Sequence, residues 1–161
     1  MNIVIREYEP SDRNDLLNLY EKDGDFFMSI DSLKRCRKGD GYAEHFVKEI
    51  TDDITKKEGK IYVAETEGKV VGVIAGSISY LESDVESIDT KRGRVTELFI
   101  EQNYRGQHIG SQLMQKIETY FKEQNCNIIN IEVFAENPNA QKFYDTHGYK
   151  PRNIDLIKVL K

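Results

Sequence analysis

Two segments of the chain carry residues whose types and spacing could bind a phosphate and supply a proton. The first is residues 105–110, Arg-Gly-Gln-His-Ile-Gly, which stand between a strand pattern and a helical pattern. A helix start offers unpaired backbone N–H groups and the positive end of the helix dipole, and glycines let a phosphate approach the backbone. The segment is consistent with a pyrophosphate site. It is equally consistent with a turn that needs Gly106 and Gly110 for steric reasons alone.

The second segment is residues 137–149, where Asn-Pro opens a helical pattern that ends at a glycine. Asn137, Ala140 and Tyr144 follow each other at intervals of three and four residues, so they share one face of the predicted helix. On that face the Tyr144 phenol could donate a proton in a cleft beside the neighbouring strand. The alternative is that Phe143 and Tyr144 are core aromatics.

The elements that position both segments follow from apolar periodicity and turn residues. Strands are predicted at residues 3–7, 60–67, 69–80, 94–100, 129–133 and 154–160. Helices are predicted after Pro10-Ser11-Asp12, around Phe46, Val47 and Ile50, over residues 109–124, and from Asn137 to Gly148. Residues 22–41 have an irregular pattern and are expected to form a lid or a loop with its own short helix. Alternating apolar residues at 154–160 need a partner strand, either from the chain's own sheet or from a second copy in a homodimer.

Composition restricts the class of protein. The 161 residues, 39% apolar and 32% charged, are typical of one globular domain over residues 1–161. No apolar run approaches a membrane span and the start lacks a signal-peptide pattern, so we expect a cytoplasmic protein. The formal charge of −5 argues against general nucleic-acid binding. Cys36 and Cys126 lack metal-ligand spacing, so no metal site is expected.

Taken together, the two segments resemble the GNAT superfamily of N-acetyltransferases. Residues 97–113, Glu-Leu-Phe-Ile-Glu-Gln-Asn-Tyr-Arg-Gly-Gln-His-Ile-Gly-Ser-Gln-Leu, are similar to that family's acetyl-CoA motif, a strand followed by Gln/Arg-x-x-Gly-x-Gly/Ala. Residues 137–149 are similar to its second motif, Asn-x-x-Ala-x-x-Phe-Tyr-x-x-x-Gly-Phe/Tyr. The resemblance implies an α/β fold with a mixed, mostly antiparallel sheet of six to seven strands and about four helices.

The resemblance also implies roles for individual residues. The residues expected to bind acetyl-CoA are Leu98, Phe99, Ile100, Arg105, Gly106, Gln107, His108, Ile109, Gly110, Ser111, Asn137, Ala140 and Tyr144. Tyr144 matches the general acid for the departing thiolate, and Glu97 lies where the family often carries the base. Glu97 could equally be a surface glutamate, and Asn137 a simple helix cap. His108 replaces the usual middle glycine, and positive φ there would strain a residue with a Cβ.

The acceptor implied by this fold is an amine, bound by residues 22–42 and 82–89. Both stretches carry several aspartates or glutamates with aromatic residues nearby, which favours a cationic amine such as a polyamine, an aminoglycoside or a peptide amine. Two alternatives remain open. The chain could bind acyl-CoA as a regulatory module without catalysis, or it could use another donor such as succinyl-CoA, with Arg92 or Arg94 near the acyl group.

Overall fold

The computed structural model describes residues 2–81 and 91–160. Within them the chain forms one sheet of five strands in the order β1-β2-β3-β4-β5. The strands are β1 (Val4–Glu7), β2 (Lys60–Thr66), β3 (Lys69–Tyr80), β4 (Lys91–Ile100) and β5 (Ile128–Ile131). Neighbours pair antiparallel from β1 to β4, and β5 runs parallel to β4. The fold class is therefore α/β with a mixed sheet.

In the described part of the chain, four α-helices cover the two faces of the sheet, together with two short 3₁₀ turns. The helices are α1 (Arg13–Ile30), α2 (Tyr42–Lys56), α3 (Ile109–Glu123) and α4 (Pro138–Thr146). Two buried cores result. Leu16, Leu19 and Tyr20 of α1 pack with α2 on one face, and Leu113, Ile117 and Phe121 of α3 pack on the other. Apolar residues on both faces of β3 are buried because helices lie on both sides.

Local sequence explains where several elements begin and end. Glu67 and Gly68 both adopt positive φ, +52° and +74°, which is the turn that joins two antiparallel strands across two residues. The side chain of Asn137 caps α4 by accepting a hydrogen bond from the Ala140 N–H at 3.1 Å. Gly148 follows α4 with φ of +86°, as a left-handed helix end requires. These predictions from the sequence are confirmed.

Strand β4 contains a β-bulge that positions the later part of the site. Gly76 of β3 pairs with Val95, and the next pair is Ala75 with Glu97, so Thr96 is an extra residue. Side chains alternate along a strand, and one extra residue reverses which face the following residues occupy. Val95 accordingly packs in the α3 core, whereas Glu97 and Phe99 point to the α1 and α2 side.

Two sequence predictions about elements are wrong. Helix α1 continues to Ile30 instead of ending near residue 22, because Leu16, Tyr20, Asp23 and Phe27 continue one helical face. Residues 150–160 form no strand, and the described sheet has five strands instead of six to seven. Ile154 and Leu156 in that segment are 82% and 87% exposed. Self-association through it remains a prediction.

No helix among residues 2–81 and 91–160 combines the length and apolarity needed to span a membrane. Both cysteines are free thiols, with Cys126 buried and Cys36 half-buried.

Helix α3 packs directly against the sheet at Gly93 of β4. A Cβ atom added there would overlap the ring of Phe121, which is fully buried. We expect Gly93→Ala to lower the free energy of unfolding by about 1–3 kcal/mol, because the ring has no room to move. Urea denaturation measures this. Gly39→Ala is the matched control, since a Cβ there meets nothing within 4 Å; equal stability of the two variants would contradict the packing described.

Candidate active site

A cavity lies next to the point where the pairing of β4 with β5 stops. The two strands pair from Arg92–Ile128 to Val95–Ile131, and no pair follows Val95–Ile131. The cavity between them has a volume of about 440 Å³, within the range of small-molecule sites. Its lining comes from α1, the α1–α2 connection, α2, β4, the segment after β5, and α4.

A row of free backbone amides lies at the start of α3. The first hydrogen bond of that helix runs from the Gln112 N–H to the His108 carbonyl at 3.1 Å. In the described part of the chain, no acceptor is bound to the N–H groups of residues 106–111. Consecutive free amides at the positive end of a helix form a site for an anion such as a pyrophosphate.

Two residues of this loop have left-handed backbone conformation. Gly106 has φ of +79°, which glycine adopts without steric cost. His108 has φ of +60° and ψ of 13°, where its Cβ is disfavoured. The strain that the sequence suggested at His108 is therefore present, and the amide of His108 remains free despite it.

The side chains of the loop serve the packing of the fold. Arg105 donates its own amide to the Gln102 carbonyl at 3.2 Å and its Nε to the Ile100 carbonyl at 2.8 Å, so its backbone N–H is already engaged. Its guanidinium lies over the rings of Phe26 and Phe99, at 5.1 and 5.4 Å from their centres. Gly110 is needed for a steric reason, as the alternative interpretation of this segment expected, because an added Cβ would lie 3.2 Å from the Phe143 ring.

Ser111 also joins α3 to α4, because its hydroxyl lies 3.1 Å from His147 Nε2. Gln107 is exposed, and Ile109 is buried in the core beneath α3. The side chains of Ser111 and Ile109 are thus engaged in packing, whereas the free backbone amides and the exposed side chains of Gln107 and His108 are available at the start of the helix.

The end of β4 presents one free backbone edge. Leu98, Phe99 and Ile100 pair with β3 along one edge, and no described strand pairs with them along the other. Leu98 also lines the cavity, whereas Phe99 is buried on the α1 side. An extended chain could form hydrogen bonds along this edge as an added strand would.

Two carboxyl groups meet inside the cavity. Glu97 reaches it from β4 and Asp23 from α1, and Asp23 is only 5% exposed. Burial first, and then the negative charge of Asp23, raises the pKa of Glu97 well above its usual range. Burial likewise raises the pKa of Asp23, and Arg105 opposes that shift. Because the two charges repel, the pair keeps a proton at pH values where exposed carboxyls have lost theirs.

Two tyrosines flank this carboxyl pair. The Tyr20 hydroxyl is buried next to Glu97 and forms no hydrogen bond of normal geometry within the described residues. Tyr42 lines the cavity, and burial together with Asp23 and Glu97 raises its pKa to about 12. Both phenols are therefore neutral, and they place hydroxyl groups beside the carboxylates.

Tyr144 lines the same cavity from another element of the fold. It is 9% exposed, lines the cavity from α4, and its hydroxyl has no partner among the described residues. Burial and the nearby Glu97 raise the pKa of Tyr144 well above its usual value, so the phenol holds its proton. Asn137 and Ala140 line the same wall, and Asn137 also caps its helix. The structure thus brings Glu97, Asn137, Ala140 and Tyr144 together.

The acidic character expected of residues 22–42 is only partly present in the cavity. Of the aspartates in this stretch, Asp23 alone lines the cavity, Asp25 is paired with Lys38 at 2.5 Å, and Asp31 accepts backbone N–H groups of its own loop. Arg37 also lines the cavity, which the sequence argument missed. The other acidic stretch, with Glu82, Asp84, Glu86 and Asp89, lies outside the described residues.

The arginines considered for a different acyl donor do not reach the cavity. Arg94 is paired with Glu132 at 2.9 Å, and neither Arg92 nor Arg94 lines the cavity. Within residues 2–81 and 91–160, no cluster of three or more His, Cys, Asp or Glu side chains could hold a metal ion.

Comparison with known proteins identifies the family. The Acetyltransferase (GNAT) family matches residues 27–149, so the chain belongs to that family. An uncharacterized N-acetyltransferase of Methanocaldococcus jannaschii is 37% identical over 94 residues, 58% of this chain and 54% of that protein. The chain thus matches about half the length of this relative.

Two further proteins extend the comparison. An N-alpha-acetyltransferase of Sulfurisphaera tokodaii is 29% identical over 135 residues, 82% of this chain and 76% of that protein. The solved structure of AAC(6')-Iy in complex with the bisubstrate analogue CoA-S-monomethyl-acetylneamine has a TM-score of 0.73 and 13% identity, covering 100% of this chain and 99% of that one. This last likeness shows a shared fold.

The strain at His108 can be measured. A left-handed conformation costs a residue with a Cβ about 1–2 kcal/mol, and glycine removes this cost. Glycine also adds about 0.5–1 kcal/mol of conformational entropy to the unfolded chain. We therefore expect His108→Gly to have a higher free energy of unfolding than the wild type. The gain should raise Tm by about 2 °C in a thermal melt. His45→Gly is the control, because His45 lies within α2 and glycine there should lower stability by about 1 kcal/mol. A lower Tm for His108→Gly would show that its conformation is not strained.

Proposed function

We propose that the protein transfers an acetyl group from acetyl-CoA to a primary amine by direct attack within a ternary complex. The observation that carries the proposal is the cavity itself: Glu97 and Tyr144 both line it, next to the free edge of β4, and Glu97 is close enough to raise the pKa of Tyr144. Membership of the GNAT family and the N-acetyltransferase names of its relatives support acetyl transfer. A cytoplasmic location remains a prediction of the sequence.

The residues present fit acetyl-CoA. The free amides of residues 106–111 would hold its pyrophosphate, and the free edge of Leu98, Phe99 and Ile100 would bind the pantetheine arm. Asn137 and Ala140 would contact the arm from α4. When bound, acetyl-CoA supplies an activated acetyl thioester. The bisubstrate analogue of the structural neighbour, which contains CoA, supports this assignment.

Glu97 is the proposed base. A primary amine is protonated at neutral pH and can attack only after losing a proton. The carboxylate of Glu97, directly or through a water, would accept that proton at Oε. Its raised pKa makes it a stronger base than an exposed glutamate. Asp23 would hold the ammonium group before the proton leaves, since opposite charges attract strongly in a partly buried site.

Tyr144 is the proposed acid. Its hydroxyl holds a proton and has no partner in the described protein, so it can donate to the thiolate sulfur that leaves. A thiolate in a low-dielectric cavity is costly without such a donor. Tyr144 packs in the core beneath α3, but it also lines the cavity near Glu97, and the alternative of a purely core aromatic does not account for that position.

Direct attack is favoured over transfer through the enzyme's own thiol. Cys36 lines the cavity, but burial and Asp31 raise its pKa, so it is a neutral thiol and a weak nucleophile. The alternative of a regulatory module that binds acyl-CoA without turnover would leave Glu97 and Tyr144 without a role. The arrangement therefore favours an enzyme.

The acid role of Tyr144 is tested by Tyr144→Phe. Loss of the proton donor should reduce kcat by about hundredfold while the affinity for acetyl-CoA is kept. Thiol release in the presence of amines measures kcat, and calorimetry measures binding. Tyr149→Phe is the control, because the Tyr149 hydroxyl bonds Glu118 outside the cavity at 3.1 Å. Full activity in Tyr144→Phe would remove Tyr144 from the mechanism.

The base role of Glu97 is tested by pH dependence. The base must be ionised, so kcat should rise with pH through the titration of the Glu97 and Asp23 pair, above the pH at which exposed carboxyls titrate. Glu97→Gln should lower kcat by about hundredfold and abolish this rise. Asp23→Asn removes a negative charge that raises the pKa of Glu97, so the rise should move to lower pH.

Glu101→Gln is the control for this experiment. Glu101 follows β4 and is paired with Lys22 at the surface, so its loss should leave the pH profile unchanged. If Glu97→Gln keeps the wild-type profile, another group or solvent accepts the proton.

A further inference from the structure

The cavity is lined by groups of both charges. The carboxyl groups of Asp23 and Glu97 are buried, and Arg37, which also lines the cavity, is exposed to solvent. Among the described residues that line the cavity, Arg37 is the only cation. It is exposed and has no hydrogen-bond or ion-pair partner in the described chain.

Arg37 is held at this place by its neighbours. The following residue, Lys38, is paired with Glu21 at 2.9 Å and with Asp25 at 2.5 Å, both on α1. Gly24 between them permits close contact, since an added Cβ would lie 2.6 Å from Lys38 Cδ and 2.7 Å from Tyr42 Cε1. The connection is thus fixed to α1 at the turn that also carries Asp23.

The acidic residues nearby do not neutralise Arg37. Asp31 is 7% exposed, and its carboxylate accepts the backbone N–H groups of Leu33, Arg35 and Cys36. These hydrogen bonds lower its pKa. Glu132 lines the cavity together with Asp23 and Glu97, and it is paired with Arg94. The guanidinium of Arg37 is therefore available to a ligand.

We propose that the acceptor is a small amphoteric amine, whose ammonium group binds at Asp23 and Glu97 and whose anionic carboxylate or phosphonate group binds Arg37. A guanidinium recognises such oxyanions through paired N–H donors. The apolar side chains of Phe27 and Phe46 line the same cavity and suit a short hydrocarbon spacer. This inference rests on the proposed acetyl transfer, and it narrows the acceptor from cationic amines in general to amines that also carry an anion.

The test compares amines of matched chain length: n-butylamine, γ-aminobutyrate, aminopropylphosphonate and putrescine. Thiol release from acetyl-CoA gives kcat and KM for each. We expect kcat/KM for the two anionic amines to exceed that for n-butylamine by about fivefold, as for an exposed ion pair, with putrescine the poorest substrate. The carboxylate and phosphonate substrates show which anion the site prefers.

Variants then assign the preference to one side chain. Arg37→Ala should raise KM for the anionic amines by about fivefold and leave n-butylamine unchanged, and Arg37→Glu should favour putrescine. Arg35→Ala is the matched control, because Arg35 lies on the same connection with its side chain outside the cavity, and it should keep the wild-type preference.

The experiment distinguishes failure of the amphoteric acceptor from failure of acetyl transfer itself. Turnover of n-butylamine or putrescine as fast as the anionic amines, or an equal loss for all amines in Arg37→Ala, overturns the amphoteric acceptor alone. Absence of thiol release with every amine overturns acetyl transfer to small amines, and this inference with it.

Discussion

The extra residue at Thr96 is the constraint on which the arrangement of the site depends. With a regular β4, Glu97 would share a face with Val95 and lie in the apolar core beneath α3. The bulge turns Glu97 toward α1 instead, and the pairing of β4 with β5 stops at Val95, the residue next to the bulge. One irregularity therefore places the carboxylate in the cavity, beside the edge of β4 that β5 leaves unpaired.

The site combines rigid and strained parts. The two cores on either side of the sheet hold β4 firmly, so the free edge at Leu98 and the amides at the start of α3 keep fixed positions. Strain is concentrated at His108, and electrostatic cost at the Asp23 and Glu97 pair. A positive φ at a residue with a Cβ and two buried carboxyl groups side by side both reduce stability, and such features are typical of functional sites.

The parts of the molecule that depend on local sequence were predictable. The cap at Asn137, the turn at Glu67 and Gly68, and the start of α3 each follow from a few adjacent residues. Asp23 was expected on the acceptor side but in a lid or loop, although its spacing from Leu16 and Tyr20 places it on the buried face of α1. Polar residues and Gly24 interrupt the apolar period after residue 22, so the sequence did not predict that α1 continues. Gly24 is tolerated within the helix because Lys38 and Tyr42 pack against it. Residues 154–160 alternate as a strand does, but alternation alone does not supply a pairing edge.

The residues proposed for chemistry and the residue proposed to select the acceptor lie on different elements, and this affects how the protein can change over evolution. The groups assigned to acetyl-CoA and to proton transfer lie on β4, α3 and α4, which are tied into the core. Arg37 lies on residues 31–41, a connection held to α1 mainly by Lys38 and by the self-contained hydrogen bonds of Asp31. Substitution of exposed residues such as Arg37 on that connection keeps the ion pairs of Lys38 and the hydrogen bonds of Asp31. Related chains could therefore diverge in acceptor while the chemistry stays the same, with little effect on folding.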